Sequence, residues 1–232
     1  EAVGIVTGIG QGIQNIYRIQ PKIISCIPTS GPVGTGVTMK GNGFGATESI
    51  RVDFGTKSPM VNVTTEGCGS FTAYFTVDNQ KRGSTLITAN GLSTNIATQT
   101  TFEITSEITI IPTSGTVGTI VNVSGRGFGC SEAITIKFGA NDNIGSCTAS
   151  SAGSFTTIFS VDLQPIAAKT VISDGSQENS ASASFVITPS VTLVSPSEGT
   201  VGSMVEIRGN GYGGNEGIDI LFGTKGTTTS TT

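Results

Sequence analysis

The sequence predicts an all-β chain of tandem two-sheet sandwich domains. Three observations carry that expectation: a domain-length internal repeat, period-two alternation of apolar residues inside each repeat, and Gly, Pro, Asn and Ser turn signals between the alternating stretches.

The repeat is 84 residues long. Gly41-Asn42-Gly43-Phe44-Gly45 returns as Gly125-Arg126-Gly127-Phe128-Gly129 and as Gly209-Asn210-Gly211-Tyr212-Gly213. Pro28, Pro112 and Pro196 hold the same register, as do Val33-Gly34, Val117-Gly118 and Val201-Gly202, and Phe54-Gly55, Phe138-Gly139 and Phe222-Gly223. Gly69-Ser70-Phe71-Thr72 and Val77-Asp78 recur once, as Gly153-Ser154-Phe155-Thr156 and Val161-Asp162. A period of this length is a whole domain, not a turn of a solenoid.

The expected organisation therefore has residues 22–106 and 107–190 as two full domains and 191–232 as the first half of another. Tyr17, Ile19 and Pro21 match Phe185, Ile187 and Pro189 at twice the period, which makes residues 1–21 the closing hairpin of a preceding partial repeat. The helical spacing of Ile5, Ile9, Ile13 and Ile16 offers a rival reading of that segment, opposed by Gly4, Gly8, Gly10 and Gly12 at about 1 kcal/mol each against Ala. With partial repeats at both ends, the chain is expected to be a piece of a longer array.

The strands are read from alternation. Val37 and Met39 alternate with Thr38 and Lys40, matched by Val121 and Val123 and by Val205 and Ile207. Ile50, Val52 and Phe54 form the inward set of the next strand, echoed by Ile134, Ile136 and Phe138 and by Ile218, Ile220 and Phe222. Phe71, Ala73, Phe75 and Val77 line a third, echoed by Phe155, Thr157, Phe159 and Val161. About seven such strands fit in 84 residues, the number of a two-sheet sandwich. Phe44, Phe54, Phe71 and Phe75 are expected in one core.

Composition excludes several function classes. Charged residues make up only 12% of the chain and the formal charge is −4, so no face is suited to phosphate and nucleic acid is not an expected partner. No apolar run is long enough to span a bilayer as a helix, and no segment at the N-terminus reads as a signal peptide. His is absent, which removes a Ser-His-Asp relay or a His-activated Cys, and no Asp or Glu pair sits in an acid/base motif. No enzyme, catalytic residue or cofactor is expected.

Several motifs invite a site. Gly41-x-Gly43-x-x-Ala46 satisfies the dinucleotide fingerprint formally, but a second alternating strand follows within a few residues where that fingerprint needs a helix. The aromatic residue between the glycines reads instead as a plug at the end of the sandwich. Glu48, Glu132 and Glu216 recur on the following turn, and one acidic residue per turn cannot fill a Ca²⁺ shell, so they are expected to be solvated turn carboxylates and no metal site is expected.

The four cysteines fall two per full domain and none is repeat-equivalent to another. The economical pairing is Cys26 with Cys68 and Cys130 with Cys147, which would indicate an oxidising compartment; four cysteines permit three connectivities, and four buried thiols are the alternative. Asn62-Val63-Thr64 and Asn122-Val123-Ser124 match the glycosylation acceptor pattern, with Asn122 on the outward side of its strand.

The string Pro-x-x-Gly-x-x-Gly-x-x-Val-x-Val-x-Gly-x-Gly-Phe, followed by Ile-x-Val-x-Phe-Gly and Gly-Ser-Phe-Thr, resembles the IPT/TIG type of immunoglobulin-like domain. It is carried by Pro28, Gly31, Gly34, Val37, Met39, Gly41, Gly43 and Phe44, and again by Pro112, Gly115, Gly118, Val121, Val123, Gly125, Gly127 and Phe128. The resemblance implies tandem immunoglobulin-like β-sandwich domains of the Thr- and Gly-rich kind found in secreted and surface-layer proteins of bacteria and archaea. Such domains serve as spacers, lattice units, adhesin stalks and enzyme appendages, and the family brings no catalytic residues. The cysteines depart from its common pattern.

Phe102-Glu103-Ile104-Thr105-Ser106-Glu107-Ile108 and Phe185-Val186-Ile187-Thr188-Pro189-Ser190-Val191 run from the last strand of one repeat into the first of the next with almost no linker, which restricts hinge motion. The expected function is a structural protein of the cell surface or envelope, extracellular, with copies of itself in a lattice or filament as partners. Cell-envelope glycans are a further expected partner. The alternatives are an adhesin stalk and a carbohydrate-binding or spacer module attached to a secreted enzyme. Tyr74 is outward by alternation, but its counterpart is Ile158, so no aromatic platform repeats.

Overall fold

The computed structural model describes residues 3–5, 16–223 and 225–229, with side chains from 19 to 223. Short strands β1 (Val3–Ile5) and β2 (Ile16–Arg18) form an antiparallel pair. The rest of the leading segment assigned above to a closing hairpin lies outside the described residues up to Ile16.

The first full repeat contributes β3 (Lys22–Ile27), β4 (Ser30–Gly31), β5 (Gly36–Asn42), β6 (Ser49–Phe54), β7 (Lys57–Thr64), β8 (Phe71–Thr76), β9 (Gly83–Gly91) and β10 (Ala97–Ile104). These make two sheets, β3-β5-β8 and β4-β10-β9-β6-β7. All pairings are antiparallel except β4 with β10, where Ser30 lies opposite Glu103. One stretch of chain, 22–31, thus serves both sheets in turn, and this switch is why eight strands stand where alternation counts about seven.

The inward faces are the residues that alternation selects. Val37 and Met39 on β5 and Phe71, Ala73 and Phe75 on β8 form one cluster with Ile50, Val52 and Phe54 on β6, Ile87 and Ala89 on β9, and Phe102 and Ile104 on β10. Phe54 meets Phe75 and Phe102 at centroid distances of 5.7 and 5.9 Å, and Phe44 meets Phe71 edge-on at 5.6 Å. Each buried phenylalanine contributes roughly 1.5–3 kcal/mol by leaving water. Phe71 also explains Gly41, because a Cβ there would lie 2.5 Å from its ring.

The second full repeat contributes β11 (Glu107–Ile111), β12 (Ser114–Gly115), β13 (Ile120–Arg126), β14 (Ala133–Phe138), β15 (Asn141–Thr148), β16 (Phe155–Ser160), β17 (Ala168–Gly175) and β18 (Ser180–Ile187). Its sheets are β11-β13-β16 and β12-β18-β17-β14-β15, the same topology. Val121, Val123, Ile134, Ile136, Phe138, Phe155, Phe159, Val171, Phe185 and Ile187 are buried. One slip interrupts the 84-residue register. The turn between β17 and β18 is one residue shorter than that between β9 and β10, so buried Phe102 and Ile104 correspond to Phe185 and Ile187, 83 positions on.

The third repeat contributes β19 (Ser190–Ser195), β20 (Glu206–Asn210), β21 (Ile218–Phe222) and β22 (Lys225–Thr229), in two antiparallel pairs, β19 with β20 and β21 with β22. The fold is all-β, with two similar immunoglobulin-like sandwiches in tandem. By compactness the chain divides into Glu1–Glu107 with Arg126–Ser131 and Ser150–Ser154, and Ile108–Gly125 with Glu132–Ala149 and Phe155–Thr232.

Candidate functional site

The chemistry that repeats lies inside the sandwiches. Glu48 is 3% exposed and Glu132 1%, which corrects the expectation of solvated turn carboxylates. β5 ends at Asn42 and β6 begins at Ser49, so the intervening turn must satisfy its own amide groups. Gly45 N–H donates to Glu48 Oε2 at 2.8 Å. The other carboxylate oxygen accepts from the N–H groups of Ser93 and Thr94 at 2.8 and 2.6 Å and from the Thr94 hydroxyl at 2.9 Å, tying this turn to the one after β9. Glu132 accepts from Gln177 N–H at 2.8 Å and Asn179 Nδ2 at 2.6 Å in the corresponding turn. Glu216 is exposed and accepts from Gly213 N–H at 2.6 Å.

Burial pushes the Glu48 carboxyl up, but the Thr94 and Gly45 N–H groups, the Thr94 hydroxyl and the Ser93 N–H outweigh it and hold the group below its ordinary value. A carboxylate kept ionised with its lone pairs engaged has no proton to give at neutral pH and no open face for a substrate. Its role is to close turns.

A second clip was not read from the sequence. Gln80 donates through Nε2 to Phe54 O at 3.0 Å and Asp78 Oδ1 at 2.6 Å, while its Oε1 accepts from Thr56 N–H at 3.2 Å. Gln164 repeats each bond, to Phe138 O at 2.9 Å and Asp162 Oδ1 at 2.7 Å and from Ala140 N–H at 3.2 Å. Gly55 and Gly139 stand at φ of +51° and +56°, and a Cβ at either would collide with the glutamine Oε1. The signal was present, because Gln80 and Gln164 continue the register of Val77-Asp78 and Val161-Asp162.

The four cysteines are free thiols in the structure, so neither expected pair is joined. Cys26 lies in a row with Met39 and Ala73 across the three-stranded sheet. Cys68 precedes Ala73 by five residues, in the turn whose Gly69 O accepts from Phe44 N–H. Cys26 therefore lies on a strand and Cys68 in the turn that precedes β8. Cys147 lies on β15 opposite Ile134, whereas Cys130 lies in the turn that precedes β14. Cys26 is buried, Cys147 half-buried, and Cys68 and Cys130 exposed.

Several outward positions do not repeat. Tyr74 (68% exposed) corresponds to Ile158 (60%), Lys40 to Ser124, and Asp53, which pairs with Arg51 at 3.2 Å, to Lys137, which pairs with Asp174 at 2.7 Å. Asn62 is exposed on β7, an edge strand carrying Pro59, and Asn122 is exposed on β13, the middle strand of its sheet. Among the described residues no group of three or more His, Cys, Asp or Glu is placed to hold a metal, and no helix is long and apolar enough to cross a membrane.

No protein family and no curated protein sequence matches this chain. Among solved structures it is similar to the Yersinia pseudotuberculosis adhesin InvE, at 11% identity and a TM-score of 0.36 over 90% of this chain and 66% of that one. It is also similar to invasin, a bacterial integrin-binding protein, at 14% identity and 0.34 over 76% and 42%. The ICAM-5 D1–D4 ectodomain fragment matches at 15% identity and 0.30, over 87% and 62%. The chain spans less than two thirds of the length of each of these structures.

Proposed function

We propose that this chain is a structural part of a cell surface or envelope, an array of IPT/TIG-type immunoglobulin-like domains whose task is to tile or span rather than to catalyse. One observation carries the reading: from repeat to repeat the interior clips are kept, Glu48 as Glu132 and Gln80 as Gln164, while outward positions such as Tyr74 and Ile158, or the half-buried Asp53 and Lys137, change in size or in sign of charge. A per-domain binding or catalytic task would need its surface residues repeated; a scaffold needs only its interior. The partners in this reading are other copies in a layer or filament, with envelope glycans in contact and, at Asn62 and Asn122, attached.

Electron microscopy of native envelopes labelled with antibody to residues 22–190 tests the proposal, with peptide mass spectrometry across Asn62 and Asn122. Labelled ordered assemblies are expected. Isolated protruding rods with no lattice or filament would replace this reading with the adhesin stalk.

A further inference from the structure

A cleft of about 520 Å³ lies wholly within the first compact unit, apart from the buried clips. Part of its lining is the β6–β7 turn, which is held in place: Gly55 N–H donates to Leu86 O at 2.9 Å and Thr56 N–H to Gln80 Oε1 at 3.2 Å. Most of the rest comes from the segment 79–86, where Lys81-Arg82 is the one place in the chain at which two of the 12 basic residues are consecutive. Among the described residues that line the cleft these two are the only charged ones. The neighbouring acid, Asp78, is outside the lining, and its Oδ1 accepts from Gln80 Nε2 at 2.6 Å. In a chain of formal charge −4 the cleft is a local inversion of sign. The second repeat keeps the frame and drops the charge: Gly139 and Gln164 stand for Gly55 and Gln80, but Leu163, Pro165 and Ile166 stand for Asn79, Lys81 and Arg82. The frame thus closes turns in both repeats, while the basic pair belongs to the first alone. A scaffold excludes a surface task shared by every domain and leaves room for one site in one domain.

We propose that this cleft binds an acidic sugar unit of a glycan, a uronate or similar carboxylate-bearing saccharide. Lys81 is exposed, and its ammonium would pair with the carboxylate in the field of the adjacent guanidinium. Thr56, Asn79 and Ser84 present hydroxyl and amide groups that both donate and accept, as ring hydroxyls do. The volume falls in the usual range of small-ligand sites, about 300–1,000 Å³. No aromatic ring lines the cleft and Leu86 is its one large aliphatic side chain, so an apolar ligand would leave the polar groups unpaired. The choice of a glycan rests on the envelope reading above; the sign of the charge does not.

The chain carries its own reporter and control, because Cys130 is exposed in the lining of the cleft and Cys68 is exposed outside it. The test is alkylation of the full chain with iodoacetamide while glucuronate is titrated at constant ionic strength, followed at each cysteine by peptide mass spectrometry. Alkylation of Cys130 is expected to slow to a plateau at less than half its free rate, with half of the effect reached below about 10 mM, and Cys68 should not respond. Glucose, which has a hydroxymethyl group where glucuronate has its carboxylate, should protect at least about tenfold less well. Lys81→Gln should raise the half-saturating concentration of glucuronate at least about threefold. That concentration, not the rate, is compared, so a changed intrinsic reactivity of the thiol drops out, and an unchanged urea midpoint verifies the fold of the variant. No slowing at Cys130, equal slowing at Cys68, equal protection by glucose, or indifference to Lys81→Gln would overturn the proposal. Equal protection by acetate or inorganic phosphate would overturn it too, by making the cleft a site for any small anion. None of these results bears on the layer or filament, which microscopy tests separately.

Discussion

Glu48 and Thr94, 46 positions apart, are joined by two hydrogen bonds: the Thr94 N–H donates to Oε1 at 2.6 Å and its hydroxyl donates to the same oxygen at 2.9 Å, while Glu48 Oε2 accepts from Gly45 N–H at 2.8 Å. The turn that carries the chain from β5 in one sheet to β6 in the other and the β9–β10 hairpin turn are thereby fixed to each other by a single buried anion. Charge-assisted bonds of this kind are about twice as strong as neutral ones.

Removing the anion should therefore be costly where it is buried and cheap where it is exposed. Glu48→Ala and Glu132→Ala are expected to destabilise their sandwiches by about 2–4 kcal/mol, since amide donors lose their acceptor and a cavity remains. Glu216→Ala, at an exposed position, should change stability by no more than about 0.5 kcal/mol. Urea unfolding of the three variants compares them directly; equal effects at all three positions would dismiss the clip.

The same carboxyl sets an acid dependence. Its folded value lies below its unfolded one, near 4.3 for a free glutamate. The stabilisation is thus fully present above the unfolded value and is lost as pH falls through the folded one. The urea midpoint of the first sandwich should drop as pH is lowered below about 4, and Glu48→Gln should flatten that drop while lowering stability at pH 7. A parallel decline in wild type and variant would assign the acid sensitivity to other groups.

Thiol chemistry checks the state of the four cysteines. Alkylation of the denatured chain without reductant is expected to label Cys26, Cys68, Cys130 and Cys147. In the native chain Cys68 and Cys130 should react first, because burial pushes the Cys26 and Cys147 thiols up and leaves them less thiolate at neutral pH. A peptide linking Cys26 to Cys68 or Cys130 to Cys147 would contradict the structure.

The Gly139–Gln164 contact can be separated from backbone strain. Gly139→Ala should cost about 2 kcal/mol, combining a left-handed φ with a collision at Gln164 Oε1. In a Gln164→Ala background the increment should fall to about 1 kcal/mol, the backbone part alone. Unchanged increments in the double-mutant cycle would show that the glutamine yields without cost.

By itself the sequence determined the fold class and the core. An 84-residue period and alternation of two specify which side of each strand is apolar, and Phe44, Phe54, Phe71 and Phe75 are buried in one cluster as that pattern requires. Alternation is local physics, so it survives without coordinates. What only the tertiary structure decided concerns groups whose partners are distant in sequence. Glu48 reads as a solvated turn carboxylate until Thr94 is brought over it, and Gln80 has no visible task until Phe54 O and Thr56 N–H meet it. Cys26 and Cys68 read as a pair from the sequence, whereas in the structure both are free thiols, one buried and one exposed. Polar groups and thiols act through specific partners at bonding distance, and a linear pattern records which face a residue occupies but not what lies across from it.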